Sequence, residues 1–342
     1  MKMQNPFPLY YSLFLFFLAT ATMISPSLGA LGKCNPSDYK ALMGIKNSLD
    51  ILNTDLLSWV PNTDCCHWDG IKCDSKTNRV NDLNIFAGDT TGQISSTLGD
   101  LPYLESIVFT RFGFINGSIP QSITKLKHLK VLDLGDMSLS GPIPTFLNQL
   151  TNLTYLDLSL NKFSGSIPPN LSDLKNMGTI HLDRNRLTGS IPESFGKFTG
   201  TVPDLYLSSN KLTGPIPKSL GSLNIRYIDL SRNKLVGDAS MLFNPNHDLT
   251  THIDLSGNQL EFDLTKVKFP KNLNWLDLSH NKIFGGIPEE IKYLESLETL
   301  KIGYNKLCGK IPSGGNMQRF RSTSFFHNKC LCGVPLVSCK RK

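Results

Sequence analysis

The sequence predicts an α/β solenoid, a right-handed superhelix of ten turns of about 24 residues with a parallel β-sheet along its concave side. Two observations carry that reading. An asparagine recurs at Asn161, Asn185, Asn210, Asn233, Asn258, Asn281 and Asn305, with gaps of 23 to 25 residues. Leucine or isoleucine stands three and five places before each of them, as Leu278 and Leu276 do before Asn281, which is the alternation of a strand buried on one face. Each turn is therefore a leucine-rich repeat.

A buried asparagine carries two N–H donors and an acceptor that must be paired, and the backbone of a stacked neighbouring turn can pair them. Gly88, Gly113 and Met137 stand where the earlier asparagines would be, and Thr110 takes an aliphatic place, so the first turns are expected to be less regular. A chain of 342 residues would ordinarily suggest two domains, but a solenoid's core lengthens with each repeat. The expected organisation is a signal peptide at 1–30, a cysteine-rich N-terminal cap at 31–79, ten repeats at 80–311 and a C-terminal cysteine cap at 312–342.

The signal peptide rests on Lys2, the apolar run Leu9 to Leu18 and the small residues Ser27 and Gly29, with cleavage near Gly29 or Ala30. Mean hydropathy is −0.13, and no later segment is apolar enough to span a bilayer. The mature chain is expected to be a secreted monomer without a membrane span. The helix start after it reads Asn35-Pro36-Ser37-Asp38, with asparagine as cap, proline in the first turn and an acid facing the helix dipole. Trp59 and Trp68 are expected to plug the open end of the core.

Cysteines support an oxidising compartment, because all eight lie at the ends: Cys34, Cys65, Cys66 and Cys73 before the repeats, Cys308, Cys330, Cys332 and Cys339 after. Pairing across the length of a rod is geometrically excluded. Of the pairings that remain, the expected one joins 34 with 65, 66 with 73, 308 with 330, and 332 with 339. Zinc-ligand spacings are missing, so no metal or other cofactor is expected. Sequons at Asn116, Asn152 and Asn170 offer glycosylation sites in the secretory route.

The second half of most repeats reads Leu-x-Gly-x-Ile-Pro, as in Leu212-Thr213-Gly214-Pro215-Ile216-Pro217, where glycine allows a bend and proline ends pairing. This pattern resembles the plant-specific repeat subclass, which carries a second short sheet before a convex helical segment. Repeats after Asn233 and Asn258 depart from it, at Gly237-Asp238-Ala239-Ser240 and Phe262-Asp263-Leu264-Thr265. Together with Arg79-Val80-Asn81, Gly200-Thr201-Val202-Pro203-Asp204-Leu205-Tyr206 and the span from Cys308-Gly309-Lys310 to Cys330-Leu331-Cys332-Gly333, these segments resemble plant polygalacturonase-inhibiting proteins over the whole mature chain.

Side chains two, four and six places before the asparagine point to the concave face. The middle column reads Asn84, Phe109, Asp133, Asp157, His181, Tyr206, Asp229, Asp254, Asp277 and Lys301. The flanking columns add Arg111 and Asp183, then Tyr155, Asp204, Tyr227, His252 and Trp275. Carboxylates on strands about 4.8 Å apart repel one another and favour a cationic partner. A consensus aspartate held by hydrogen bonds is the competing reading of each acid, but it leaves the accompanying aromatic residues unexplained.

The resemblance implies a concave acidic pocket that meets basic residues around the cleft of a fungal or insect endopolygalacturonase. Asp157, Asp183 and Asp229 fall at matching acidic positions, while Gly178, Asp204, Thr251 and Glu298 fall near positions that vary with target range. The expected partner-binding set is Asp133, Asp157, His181, Asp183, Asp204, Tyr206, Asp229, Asp254, Trp275 and Asp277. An open sheet with no nucleophile, base or metal constellation argues against an enzyme. The alternative is a receptor-type module that binds a peptide or protein; ice binding would want a regular threonine or asparagine array instead.

Net charge is +7, or +6 once Lys2 is removed, so the basic excess must lie off the acidic stripe. Lys310, Arg319, Arg321, Lys329, Lys340, Arg341 and Lys342 cluster toward the C-terminus, where they could hold acidic pectin in a plant cell wall. No nucleic-acid reading motif accompanies that charge.

Overall fold

The computed structural model describes residues 34–50, 56–86, 90–110 and 113–339. The expected signal peptide, Gly88, Arg111, Lys340, Arg341 and Lys342 lie outside these residues. Ten parallel strands, from Val80–Phe86 to Thr299–Lys301, form the concave sheet, and Ile71–Cys73 adds an eleventh, antiparallel strand at the N-terminal edge. From Val131–Asp133 onward each concave strand is three residues long. The residue just before the repeat asparagine, or before Met137 in its place, then adopts a left-handed conformation, with φ of 54–57° at Asp136, Leu160, Arg184, Ser209, Arg232, His280 and Tyr304, and this swings the chain off the sheet.

That bend is held by the asparagine. In Asn210 the side-chain oxygen accepts from the Leu187 N–H at 2.9 Å, and Nδ2 donates to the Leu182 carbonyl of the preceding turn at 2.9 Å. The same Nδ2 also reaches Leu207 and Ser208 in its own turn. The arrangement repeats from Asn161 through Asn305. It runs one turn beyond the sequence reading, because Asn328 accepts from Leu307 N–H and donates to the Ile302 carbonyl, each at 3.0 Å. The C-terminal cap thus continues the ladder, and its strand Cys330–Cys332 pairs in parallel with Lys306–Lys310.

The early strands are longer, at Val80–Phe86 and Ser106–Thr110, as the missing asparagines foretell. Their register corrects the sequence reading by one residue. Val108, not Phe109, lies beside Asp133, and Phe109 is buried with Ile107. Phe109 therefore fills the aliphatic place that the reading had given to Thr110.

The second sheet appears in three pieces: six strands from Leu49–Asp50 to Arg186–Leu187, three from Thr213–Pro215 to Gln259–Leu260, and three from Phe284–Gly285 to Cys330–Cys332. On the convex side the segments are 3₁₀ helices, five residues long in most turns and three at the irregular Ser240–Leu242 and Leu264–Lys266. Proline precedes many of them, as at Pro144, Pro168 and Pro192, where its fixed φ sets the entry and no N–H is left unpaired. Among the described residues α-helix is confined to the N-terminal cap, at Pro36–Ser48.

In that cap Asn35 accepts from the Ser37 N–H, as its position implies. Asp38 is the first-turn acid expected and does more than face the dipole: it is 1% exposed, binds the Arg79 guanidinium through both oxygens at 2.7 and 2.9 Å, and accepts from the Val80 N–H. Arg79 in turn lies 4.3 Å from the Tyr103 ring centroid. The pair ties the cap helix to the first long strand. Trp59 and Trp68 stack at 5.3 Å and are buried over the end of the core. All four disulfides join the expected partners.

Asn210→Ala should leave the Leu187 N–H unpaired inside the protein, at about 1–3 kcal/mol, while the Leu182 carbonyl keeps Asn185 Nδ2 at 3.2 Å. A lowered urea midpoint is the expected reading, and an unchanged midpoint would remove the ladder from the stability account.

Candidate partner-binding face

The register sets Asp133 beside Asp157, and Asp229 beside Asp254 and Asp277. Each of these five aspartates also has a local task. One oxygen accepts from the backbone N–H two residues on, at Gly135, Ser159, Ser231, Ser256 and Ser279, over 2.7–3.0 Å. This closes the turn that leaves the strand and leaves the second oxygen for other partners. The hydrogen-bonded consensus role is therefore observed at all five.

Two acids on the expected face are not available as free charges. Asp204 is 4% exposed, paired with Arg226 and accepting from the Tyr227 N–H at 3.1 Å. Asp277 is 5% exposed, with Lys301 at 3.2 Å and the Ser279 hydroxyl at 2.6 Å. The sequence placed both in solvent-facing columns but could not show that a lysine or arginine from the next strand covers them. Asp183 lies 3.6 Å from His181 Nδ1 and 4.0 Å from Arg184, a partly exposed contact of small energetic weight.

Between the acids runs a continuous stack of six rings, Tyr155, His181, Tyr206, Tyr227, His252 and Trp275, one from each successive strand. Centroids are 4.0 Å apart from His181 to Tyr206, 4.3 Å from Tyr206 to Tyr227 and 3.8 Å from Tyr227 to His252, all with planes near parallel. Tyr155 joins one end at 5.6 Å and Trp275 the other at 5.2 Å, where Lys301 Nζ sits 4.8 Å from the indole. The residue columns gave each ring its face but not the stack, because rings six and four places before the asparagine lean together across strands.

Burial under this stack moves several ionisations. It pushes His252 down to about 4, against the pull of Asp229 and Asp277. It pushes Asp254 up to about 6, with Asp277 and Asp229 adding to the rise and the Ser256 hydrogen bonds opposing it. Asp133 is raised by burial, then by Asp157. The Tyr155, Tyr206 and Tyr227 hydroxyls are raised above the ordinary tyrosine value by burial and neighbouring aspartates, so they remain neutral donors.

A basic column escaped the sequence reading. The residue after the ladder asparagine is basic at Lys162, Arg186, Lys211, Lys234, Lys282, Lys306 and Lys329, all exposed at the start of the second sheet, with Gln259 interrupting the column. Reading one place past each asparagine would have found it. In the C-terminal group Arg319 is engaged by the Leu297 carbonyl and Asn316. Open clefts of about 520 and 670 Å³ lie at the irregular repeats, among Phe243, Phe262 and Lys266 and among Phe269, Lys271 and Tyr293, and neither includes a concave-strand residue.

A disulfide-capped solenoid with an open, polar and aromatic concave sheet is a plant-type leucine-rich-repeat protein. Family models agree: a leucine-rich-repeat N-terminal domain matches residues 35–74, the leucine-rich-repeat domain of the EGF-like protein ComC matches 103–235, and a leucine-rich repeat matches 272–294. The chain is 52% identical to a polygalacturonase inhibitor of Vitis vinifera, covering 99% of this chain and 100% of that one. A polygalacturonase inhibitor of Pyrus communis is 51% identical with the same coverage. The chain belongs to the polygalacturonase-inhibitor family. Among solved structures a plant ice-binding protein superposes with a TM-score of 0.87 at 48% identity, covering 90% of this chain and 99% of that one.

Asp254→Asn keeps the acceptor for the Ser256 N–H and removes the charge. A folded-state pKa above the unfolded value means the fold binds the extra proton, so this group lowers stability as pH rises from about 4 to 6. The variant should match wild type near pH 4 and exceed it by about 1–2 kcal/mol at pH 7, after discount for partial exposure. Denaturation at the two pH values reads this directly; an equal offset at both would contradict it.

Proposed function

We propose that this chain is a secreted, non-catalytic plant protein that binds a pathogen endopolygalacturonase through its concave face and limits pectin degradation. The observation that carries the reading is the face itself: uncompensated carboxylates at Asp133, Asp157, Asp229 and Asp254 alternate with half-buried rings on a sheet in a family named for polygalacturonase inhibition. Aromatic residues with charged neighbours at the centre of a concave surface are the composition of a protein-binding hot spot. The acids attract the basic residues that an enzyme acting on a polyanion needs around its cleft, and the bulk of the solenoid then blocks that cleft.

Two further features support it. None of the sequons at Asn116, Asn152 and Asn170 lies on a concave strand, so glycans there would leave the face open. The exposed column from Lys162 to Lys329 is placed to hold acidic pectin while the concave face remains free.

Asp157→Asn with Asp229→Asn retains both turn hydrogen bonds and removes two charges. Reducing-sugar release from polygalacturonate by an enzyme that the wild type inhibits should then recover, with at least a tenfold weaker inhibition and an unchanged denaturation midpoint. Undiminished inhibition by the folded double variant would sink the concave-face reading.

A further inference from the structure

The acids of the concave face fall into two groups once the paired ones are set aside. Arg226 neutralises Asp204 and Lys301 neutralises Asp277. Asp133 and Asp157, with Asp183 at their edge, remain on one side, and Asp229 with Asp254 on the other. Asp157 and Asp229 are separated by three strand intervals, through His181 and Tyr206, or about 14 Å at ~4.8 Å per interval.

The space between them is filled by the middle of the ring stack. His181, Tyr206 and Tyr227 have their faces against one another at 4.0 and 4.3 Å, so they turn edges outward. A stack of this kind cannot lay a sugar or a cation on an inner ring face. It can form a flat strip of ring edges and hydroxyl donors, and because each ring is clamped by two others, docking on it orders few new rotamers.

Resting on the concave face as the inhibitory surface, we propose that the stack is a rigid spacer holding two separate anionic pockets about 14 Å apart, so that the partner is a protein surface presenting two basic side chains at that spacing across a flat strip of ring edges. Neither basic group meets the other's pocket, and each contributes independently. The rings supply the slow dissociation and the acids the rapid, salt-sensitive approach. Tyr206 is a positioning residue in this scheme, because it holds His181 and Tyr227 in line.

The test has two arms. In the first, an inhibited endopolygalacturonase is bound to wild type, Asp157→Asn, Asp229→Asn and the double variant. Each single change should weaken binding about tenfold and the double about a hundredfold, since sites beyond 7–10 Å add. Loss of all binding on either single change would overturn the two-pocket scheme. Tyr206→Leu should raise the dissociation rate at least tenfold while leaving the association rate alone. Trp275 emission, taken as the difference from Trp275→Phe, shows whether the stack has broken; broken stacking with wild-type dissociation would reduce the rings to a structural role.

The second arm needs no enzyme. Alanine-rich helical peptides carrying two lysines four, eleven or eighteen residues apart present charges on one face at ~6, ~16 and ~27 Å. Binding, read by Trp275 emission at low salt, should peak at the middle spacing and disappear in the double variant. Equal binding at all three spacings would overturn the inference. If no enzyme binds wild type but the spacing optimum appears, the target reading fails and the two-pocket geometry stands.

Discussion

The asparagine ladder is the constraint on which the other features depend. Each side chain pairs two backbone groups of the preceding turn and two of its own, which fixes both the stacking distance and the left-handed bend beside it. A left-handed conformation at a residue with a Cβ is unfavourable by about 1–2 kcal/mol, and here it recurs at nearly every turn. The hydrogen bonds to buried groups offset it. Because the bend follows the strand at a fixed place, every concave side chain from Asp133 onward is delivered at the same height on the sheet. The acid groups and the ring stack are consequences of that regularity.

The concave aspartates show one residue serving fold and face together. One oxygen closes the turn at each, while the second accepts from the Tyr155 hydroxyl at Asp157 and meets Lys301 at Asp277. Burial beneath the rings then sets Asp254 apart from an ordinary surface acid and keeps His252 neutral. Burial raises Asp133 and Asp254, and burial followed by neighbouring aspartates raises the tyrosine hydroxyls.

Much of this was legible in the sequence because a solenoid maps period onto position. The repeat count, the inward leucines, the two cysteine groups and the identity of the concave columns all follow from spacing. What spacing could not show was cross-strand pairing. Arg226 over Asp204 and Lys301 over Asp277 connect residues 22 and 24 apart, and nothing local marks either acid as neutralised. Asp38 is the first-turn acid its position implies, but nothing local marks its partner Arg79, 41 residues later. At Phe109 the reading slipped a residue because no asparagine fixed the register there. The ladder's last member, Asn328, was hidden by the irregular sequence of the C-terminal cap.

The central claim is that the concave sheet is where a partner sits. Amide hydrogen exchange of the disulfide-intact protein, with and without an endopolygalacturonase it inhibits, tests this most directly. Protection confined to the strands between Val131 and Lys301 and their following turns is the expected result. Protection on the 3₁₀ side or along the second sheet, with the concave strands unchanged, would contradict it.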